Sequence, residues 1–172
     1  MVRNPRLHLM KHLFLLRHAK SDWGDPSLLD SERPLNKRGL EAAPLIGRVL
    51  GEQSVRPTLV LCSPAVRTRE TATLALAAAK LDAHVRFDER IYEASASRLL
   101  EVVAETEDAH AAVLLIGHNP GLSELLAHFT EDVRAMPTAA LAVISLETEN
   151  WTAIDRTRGR LEMFVKPRDL DS

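Results

Sequence analysis

The stretch Leu13–Trp23, LFLLRHAKSDW, is the most informative segment of this 172-residue chain. It begins with four apolar residues, 13–16, in the pattern of a short strand that is covered on both faces, as in a parallel sheet. The apolar run ends abruptly in Arg17 and His18, whose side-chain types bind phosphate or attack it. A buried strand that ends in such a pair predicts an α/β protein with an anion site at the strand's end.

Composition and charge are those of an ordinary globular protein of one domain. Hydrophobic residues make up 45% of the chain and charged residues 27%. With 22 Lys and Arg against 24 Asp and Glu, the formal net charge is −2. This balance gives no general attraction to nucleic acid or to an anionic membrane, so an anion site must be a local cluster of cations. We expect a single domain over residues 1–172, with residues 1–9 as a non-essential extension that lacks the features of a signal peptide.

The cysteine count bounds the redox and metal chemistry. A single cysteine, Cys62, excludes an intrachain disulfide and a cysteine-based metal site, and it fits a cytoplasmic location. No apolar run approaches the roughly 18 residues that span a bilayer. We expect no cofactor and no metal. A zinc site built from His18, His118 and an acid is disfavoured because neighbouring arginines would repel the ion.

Two further apolar runs repeat the pattern of the first. PTLVLCSP (57–64) and AAVLLIGHNPG (111–121) each read as a buried strand followed by a helix start. Ser63-Pro64 and Asn119-Pro120 predict N-caps with proline at the first helical position. Alternating strands and helices predict a three-layer α-β-α sandwich around a mostly parallel sheet.

The remaining segments predict smaller elements. The spacing of Leu40, Ala43, Gly47 and Leu50 predicts a helical stripe, and Pro44 predicts either a late helix start or a kink. A short strand is predicted over 85–87 and a helix over 97–107. The tail predicts antiparallel edge strands around turns at Glu149-Asn150 and Arg158-Gly159. Such edge strands leave both a monomer and a dimer open.

The three predicted strand ends carry the functional signal. If the strands are adjacent and parallel, Arg17, His18, Arg67 and His118 converge at one edge of the sheet. Arginines bind phosphate oxygens in pairs of hydrogen bonds, and the helix that opens at Asn119 adds backbone N–H donors. A neutral imidazole accepts a phosphoryl group near pH 7, and a second histidine, if protonated, stabilises charge on the transferred group. Phosphoryl transfer needs little more than this positioning and charge.

Several motifs also resemble those of a known family. LLRHAKSDW resembles the Arg-His-Gly signature of the histidine phosphatase (phosphoglycerate mutase-like) superfamily. CSPAVRTRETA is similar to the family's second-arginine motif and LLIGHNPGLSEL to its second-histidine motif, and RPLNKRG and ERIYEAS fall in the expected order. Alanine after the first histidine, the HNPG form and the short chain resemble the SixA-type phosphohistidine phosphatase branch.

The resemblance implies a fold and a set of roles. It implies a phosphoglycerate mutase-like fold with His18 as the nucleophile, and with Arg17, Arg67 and His118 completing the phosphate pocket. Two further residues are candidates for substrate binding, Ser21 and Asn119. The resemblance makes Glu93 the candidate general acid, with Asp22 as a weaker candidate. Trp23, in the loop that carries Asp22, either contacts substrate or covers the site, or is only a hinge or packing residue. The short chain leaves no room for a deep substrate pocket.

Three functions compete at this stage. The first is a metal-independent phosphatase that acts through a phosphohistidine on His18 and takes phosphohistidine in a protein as its substrate. The second keeps the chemistry but takes a small phosphate ester, such as a sugar phosphate or a nucleotide, and needs a working acid. The third is a non-catalytic module that binds phosphoprotein through Arg17 and Arg67.

Overall fold

The strands and helices alternate as the sequence predicts. The computed structural model describes residues 10–170, so the expectation for residues 1–9 lies outside the described part of the chain. Six strands and four α-helices follow one another in this range, with short 3-10 helices between them. The strands are β1 (Lys11–Arg17), β2 (Leu59–Cys62), β3 (His84–Phe87), β4 (Ala112–Gly117), β5 (Leu141–Leu146) and β6 (Gly159–Val165). The helices are α1 (Lys37–Gly51), α2 (Val66–Ala79), α3 (Ala96–Ala104) and α4 (Gly121–Thr130).

The sheet has the strand order β3-β2-β4-β1-β5-β6. The four strands β3, β2, β4 and β1 are mutually parallel. On one side of them, β5 pairs antiparallel with β1, and β6 pairs antiparallel with β5. In the register of the central strands, Arg17 lies opposite Gly117 and Cys62 lies opposite Ile116. The prediction of a mostly parallel sheet with antiparallel strands at one edge is confirmed, and the ends of β1, β2 and β4 lie level with one another.

Two hydrophobic cores sandwich the sheet because successive residues of the buried strands point to opposite faces. Phe14 and Leu16 belong to one core, where they share the space under α1 and α2. Leu13 and Leu15 belong to the other, which α3 and α4 cover. All four side chains are fully buried, which explains why β1 reads as a continuous apolar run. The resulting three layers are those predicted from the sequence.

Both helix starts predicted from Ser-Pro and Asn-Pro are wrong by one or two residues. Helix α2 begins at Val66 with Ala65 as its N-cap, and α4 begins at Gly121 with Pro120 as its N-cap. Ser63 does not cap α2 because its hydroxyl lies 2.7 Å from the His118 ring. Asn119 is engaged as well. Its side-chain amide accepts hydrogen bonds from Ser123, in the first turn of α4, and donates one to the Met136 carbonyl.

Other local predictions need smaller corrections. Helix α1 continues through Pro44. Leu40, which was predicted to face the core, is 47% exposed, whereas Ile46 is fully buried in the core. Helix α3 spans Ala96–Ala104, shorter than predicted, and is capped by Ser95. The segment Trp151–Arg156 is a 3-10 helix and not a strand. Its first residue is a buried tryptophan whose indole N–H donates to the His110 carbonyl 2.8 Å away, and this anchor overrides the strand pattern.

Helices α1 and α2 approach so closely that glycine is required between them. A Cβ placed on Gly47 would lie 2.4 Å from the Ala75 carbonyl oxygen, and one on Gly51 would lie 2.7 Å from that of Ala79. Both obstacles are backbone atoms of α2, which cannot rotate away. The contact fixes the position of α2, and so of Arg67 in its first turn, against α1.

We predict that Gly47→Ala lowers the free energy of unfolding by about 2 kcal/mol. Overpacking against backbone atoms costs roughly 1–3 kcal/mol. This cost outweighs the gain in helix propensity from glycine to alanine, which is at most about 1 kcal/mol. Urea unfolding measures the change. The matched control is Arg48→Ala, which alters an exposed side chain on the neighbouring position of α1 and should change stability by less than about 0.5 kcal/mol. A Gly47→Ala protein as stable as the parent would show that α2 shifts freely.

Candidate active site

The ends of β1, β2 and β4 enclose a cavity of about 260 Å³. Arg17 is the last residue of β1 and His18 follows it, Arg67 lies in the first turn of α2, and His118 follows β4. Since the three strands are adjacent and parallel, these four side chains meet at one edge of the sheet. The cavity is lined by Arg17, His18, Lys20, Ser21, Trp23, Arg33, Arg67, Glu93, His118, Asn119 and Thr138.

The imidazole of His18 is held in one tautomer. Its Nδ1 lies 2.7 Å from the Ala19 carbonyl oxygen, which can only accept, so Nδ1 carries the hydrogen and donates it. The pKa of His18 is lowered to about 4, mainly by burial, with a smaller contribution from the charges of Arg67, Arg17 and Arg33; the Ala19 hydrogen bond acts in the opposite direction. The ring is therefore neutral at pH 7 and keeps an unprotonated Nε2, which is the form that can accept a phosphoryl group.

His118 is neutral as well, which differs from the protonated form considered from the sequence. Its ring centroid lies 5.3 Å from that of His18. Burial lowers its pKa to about 3, and the charge of Arg67 is the next cause. Arg67 Nη2 lies 3.4 Å from Nδ1, so the hydrogen belongs on Nε2, which donates to the Ser63 hydroxyl at 2.7 Å. Two neutral imidazoles therefore face each other in a pocket rich in arginine.

The arginines of the site hold unused donors. Arg17 donates through Nη1 to the Met136 carbonyl, 3.0 Å away, and Arg67 donates to the backbone and the carboxylate of Asp30 at 2.8 and 3.0 Å. The Nε atoms of Arg17 and Arg67 are buried, yet neither has an acceptor among the described residues. A buried guanidinium donor without a partner is costly, so the pocket is suited to an anion that supplies acceptors.

The sequence analysis missed a third arginine and the carboxylate that organises it. Arg33 is buried on the cavity wall and donates to the Ser21 hydroxyl at 2.7 Å. Asp30 accepts from Arg33 and Arg67 and also from the Tyr92 hydroxyl, and these contacts, led by the Tyr92 hydrogen bond, lower its pKa to about 2. Asp30 thus stays ionised and ties the loop after β1 to α2. The only signal in the sequence was the position of these residues in or beside the motifs RPLNKRG and ERIYEAS.

The other residues predicted for the site differ in whether they line the cavity and in their hydrogen-bond partners. Ser21 lines the cavity but is engaged by Arg33, and Asn119 lines it while its amide holds Met136 and Ser123. Glu93 lies on the cavity wall with left-handed backbone at φ 49°. Asp22 is not part of the lining, and its carboxylate accepts from the Gly24 N–H at 2.7 Å.

Two close contacts shape the rim of the cavity. Trp23 is 76% exposed and covers the Arg33 guanidinium, which lies 3.4 Å from the ring centroid. On the other side, a Cβ on Gly121 would lie 2.2 Å from the Ala94 carbonyl oxygen. The segment that carries Glu93 therefore packs directly on the first turn of α4, close behind His118.

Comparison with known proteins agrees with this geometry. Residues 13–99 match the family model of the histidine phosphatase superfamily (branch 1). The chain belongs to this superfamily. An uncharacterized protein of Mycobacterium tuberculosis is 32% identical over 164 residues, which cover 89% of this chain and all of the relative. An uncharacterized chloroplastic protein of Arabidopsis thaliana is 30% identical and covers 95% of this chain and 81% of its own.

Solved structures place this histidine phosphatase in the SixA branch. A protein of Agrobacterium tumefaciens that bears the name phosphohistidine phosphatase SixA is 29% identical, with a TM-score of 0.79 over 91% of this chain and 98% of its own. One of the same name from Nakamurella multipartitia is 25% identical, with a TM-score of 0.81 over 92% and 96%. A mycobacterial glucosyl-3-phosphoglycerate phosphatase shares the fold alone, at 19% identity and a TM-score of 0.65 over 90% of this chain and 98% of its own. The protein is a phosphatase.

Membrane-spanning helices and metal-binding clusters were both sought among the described residues. No helix in the described part of the chain is long and apolar enough to cross a membrane. Between residues 10 and 170, no cluster of three or more His, Cys, Asp or Glu side chains is arranged to hold a metal ion.

We predict that the two active-site histidines make the histidine phosphatase less stable below neutral pH. Their pKa values are lower in the folded protein than the ordinary 6.5, so between about pH 6.5 and 4 the unfolded chain binds more protons. Stability is therefore complete above pH 6.5, and each histidine costs about 2 kcal/mol on going to pH 5.

Urea unfolding at pH 7 and pH 5 in phosphate-free buffer measures this loss. The double variant His18→Asn/His118→Asn should lose less stability over that interval than the parent protein. His12, whose pKa burial also lowers, contributes equally to both proteins. An identical loss in parent and variant would contradict the prediction.

Proposed function

We propose that this phosphatase removes phosphate from phosphohistidine in proteins through a covalent phosphohistidine formed on His18. One observation carries the proposal: a neutral His18 ring, with Nδ1 hydrogen-bonded to Ala19, lies among three arginines at the end of β1. The SixA names of the similar structures support the choice of substrate. The cavity of about 260 Å³ has room for the phosphorylated end of a side chain.

The first step is the transfer of the phosphoryl group to His18. Arg17 and Arg67 bind its oxygens through their free N–H donors, and Arg33, which also lines the cavity, adds positive charge. Nε2 of His18 attacks phosphorus, the P–N bond to the substrate imidazole breaks, and that imidazole leaves carrying a proton. The Ala19 carbonyl accepts from Nδ1–H and stabilises the positive charge that develops on the His18 ring.

The second step is hydrolysis of phosphohistidine at His18. Water attacks phosphorus, the P–N bond to Nε2 breaks, and inorganic phosphate leaves with the ring restored. A bound dianion offsets the arginine charges that lower the pKa of His118, so His118 takes up a proton more readily in the complex than in the free enzyme. A protonated His118 then donates to a phosphoryl oxygen and lowers the barrier of both steps.

A small phosphate ester is the second candidate substrate, and the position of Glu93 favours it. An alkoxide leaves poorly without a proton, so an esterase needs a general acid close to the leaving oxygen. Among the described residues, Glu93 is the one carboxylic acid that lines the cavity. Phosphohistidine has less need of such an acid, because a protonated imidazole is already a good leaving group.

We predict that His18→Asn abolishes phosphoenzyme formation and lowers kcat by at least about 10³-fold, because no other group replaces the nucleophile. Rapid acid-free quench with a ³²P-labelled phosphohistidine peptide detects the adduct, which should be labile to acid and stable to base. The control His84→Asn changes an exposed histidine on β3 and should label normally. A labelled His18→Asn protein with parental kcat would overturn the mechanism, and loss of parental activity in EDTA would overturn its metal independence.

We predict that Glu93→Gln separates the two substrate classes. For an enzyme specific for phosphohistidine, kcat on a phosphohistidine peptide should fall by less than about threefold, because the leaving imidazole brings its own proton. On an alkyl phosphate with a poor leaving group, kcat should fall by at least about tenfold. Steady-state rates on both substrates measure the ratio, with Glu89→Gln, an exposed neighbour, as the control. Equal effects on both substrates would argue against Glu93 as the general acid of an esterase.

A further inference from the structure

A second concave surface lies directly beside the phosphate cavity. It has a volume of about 410 Å³ and lies between α1, the segment before β5 and the segment after β6. Its walls carry the cations Lys20, Arg38, Lys166 and Arg168. We call this surface the basic groove. It shares Lys20 and Thr138 with the phosphate cavity, so the two are continuous.

The position of the groove relative to His18 is fixed by backbone contacts. The Asn36 N–H donates to the Lys20 carbonyl at 2.9 Å, and a Cβ on Gly39 would lie 2.2 Å from that same oxygen. On the far side, the Ala139 N–H donates to the His18 carbonyl at 3.0 Å. The residues at the shared boundary are therefore held by the same segments that position the nucleophile.

The charge of the groove is local and largely unpaired. In the described part of the chain, no carboxylate lies within 4 Å of the side-chain nitrogens of Lys20, Arg38 or Arg168. Lys166 is 4.0 Å from Asp169, and Glu41 is the one acidic residue of the lining. The chain as a whole carries a formal charge of −2, so this concentration of cations is not a general property of its surface.

Apolar residues line the groove together with the cations, and this mixture suits a polypeptide. They include Leu45, Pro137 and Pro167. Aliphatic parts of a bound segment can pack on these residues while its carboxylates reach the cations. A protein that presents a phosphorylated side chain to the cavity must also cover the surface next to it, and the groove is that surface.

We propose that the basic groove binds an acidic segment of the phosphorylated partner protein, next to its phosphohistidine. The proposal rests on the proposed function and assigns the enzyme its class of partner: a phosphoprotein with aspartates or glutamates flanking the phosphorylated histidine. Charge pairs at such a rim act on association and on KM, are weakened by salt, and leave the chemical step unchanged.

The test uses charge reversal at two groove arginines that do not line the phosphate cavity. The double variant Arg38→Glu/Arg168→Glu alters exposed side chains only. Its matched control, Arg156→Glu/Arg158→Glu, changes the net charge equally at exposed positions outside both surfaces. Three substrates are compared: a phosphohistidine peptide flanked by four glutamates, the same peptide with glutamines, and free phosphohistidine.

For the parent protein we expect kcat/KM to be at least tenfold higher on the acidic peptide than on the neutral one, through KM. The groove variant should lose this preference, the control should keep it, and both should hydrolyse free phosphohistidine within twofold of the parent rate. Raising KCl from 50 to 300 mM should reduce the preference in the parent. A parent without the preference, or a groove variant that retains it, overturns the proposal.

A binding measurement separates this proposal from the proposed function. Fluorescence anisotropy with the unphosphorylated, labelled acidic peptide reports on the groove whether or not the enzyme turns over phosphohistidine. We expect at least tenfold weaker binding to the groove variant than to the parent and the control, and equal affinities would overturn the groove assignment. If the parent hydrolyses neither phosphohistidine peptide, the substrate proposal fails while the binding result still decides the groove. A groove variant that loses activity on free phosphohistidine identifies the surface as a small-anion subsite instead and also overturns the proposal.

Discussion

The parallel pairing of β4 with β1 on one side and β2 on the other is the constraint on which the site depends. It sets Arg17 opposite Gly117 and brings the ends of all three strands level. The strands are buried on both faces, so a slip in register would move the apolar residues of β1 out of their two cores. Hydrophobic burial therefore stabilises the geometry of a polar site that contributes little to stability itself.

Two uncharged imidazole rings lie among the positively charged arginines of the site. Burial and the arginines lower the pKa values of His18 and His118 so far that both are neutral at pH 7. The same positive charge that disfavours protonation of the two rings also attracts anions, so in the proposed mechanism substrate affinity and the neutral state of the His18 nucleophile share this cause. Asp30 limits this field at Arg67 and, through Tyr92, connects the loop after β1 to the loop after β3.

The sequence predicts most strongly where a residue's surroundings leave a pattern along the chain. The runs 13–16, 59–62 and 112–116 identify β1, β2 and β4 because both faces of each strand are buried. The helix starts were misplaced because the Ser63 hydroxyl contacts His118 and the Asn119 amide donates to Met136, and no local pattern predicts such contacts. Asp30, Arg33 and Tyr92 were missed for a similar reason, since the contacts of Asp30 with Arg67 and Tyr92 and of Arg33 with Ser21 join different segments of the chain. The 3-10 helix after β5 follows from a single buried indole, Trp151.

The absence of a side chain at Gly121 determines where the segment that carries Glu93 can lie. A Cβ there would overlap the Ala94 carbonyl, so a larger residue would push the Glu93 segment off the first turn of α4. In the proposed mechanism, the candidate proton donor would then be displaced, whereas His18 and Arg17 lie on a different segment of the chain. A substitution at a position that touches no reacting atom would therefore impair the hydrolysis of esters more than that of phosphoramidates.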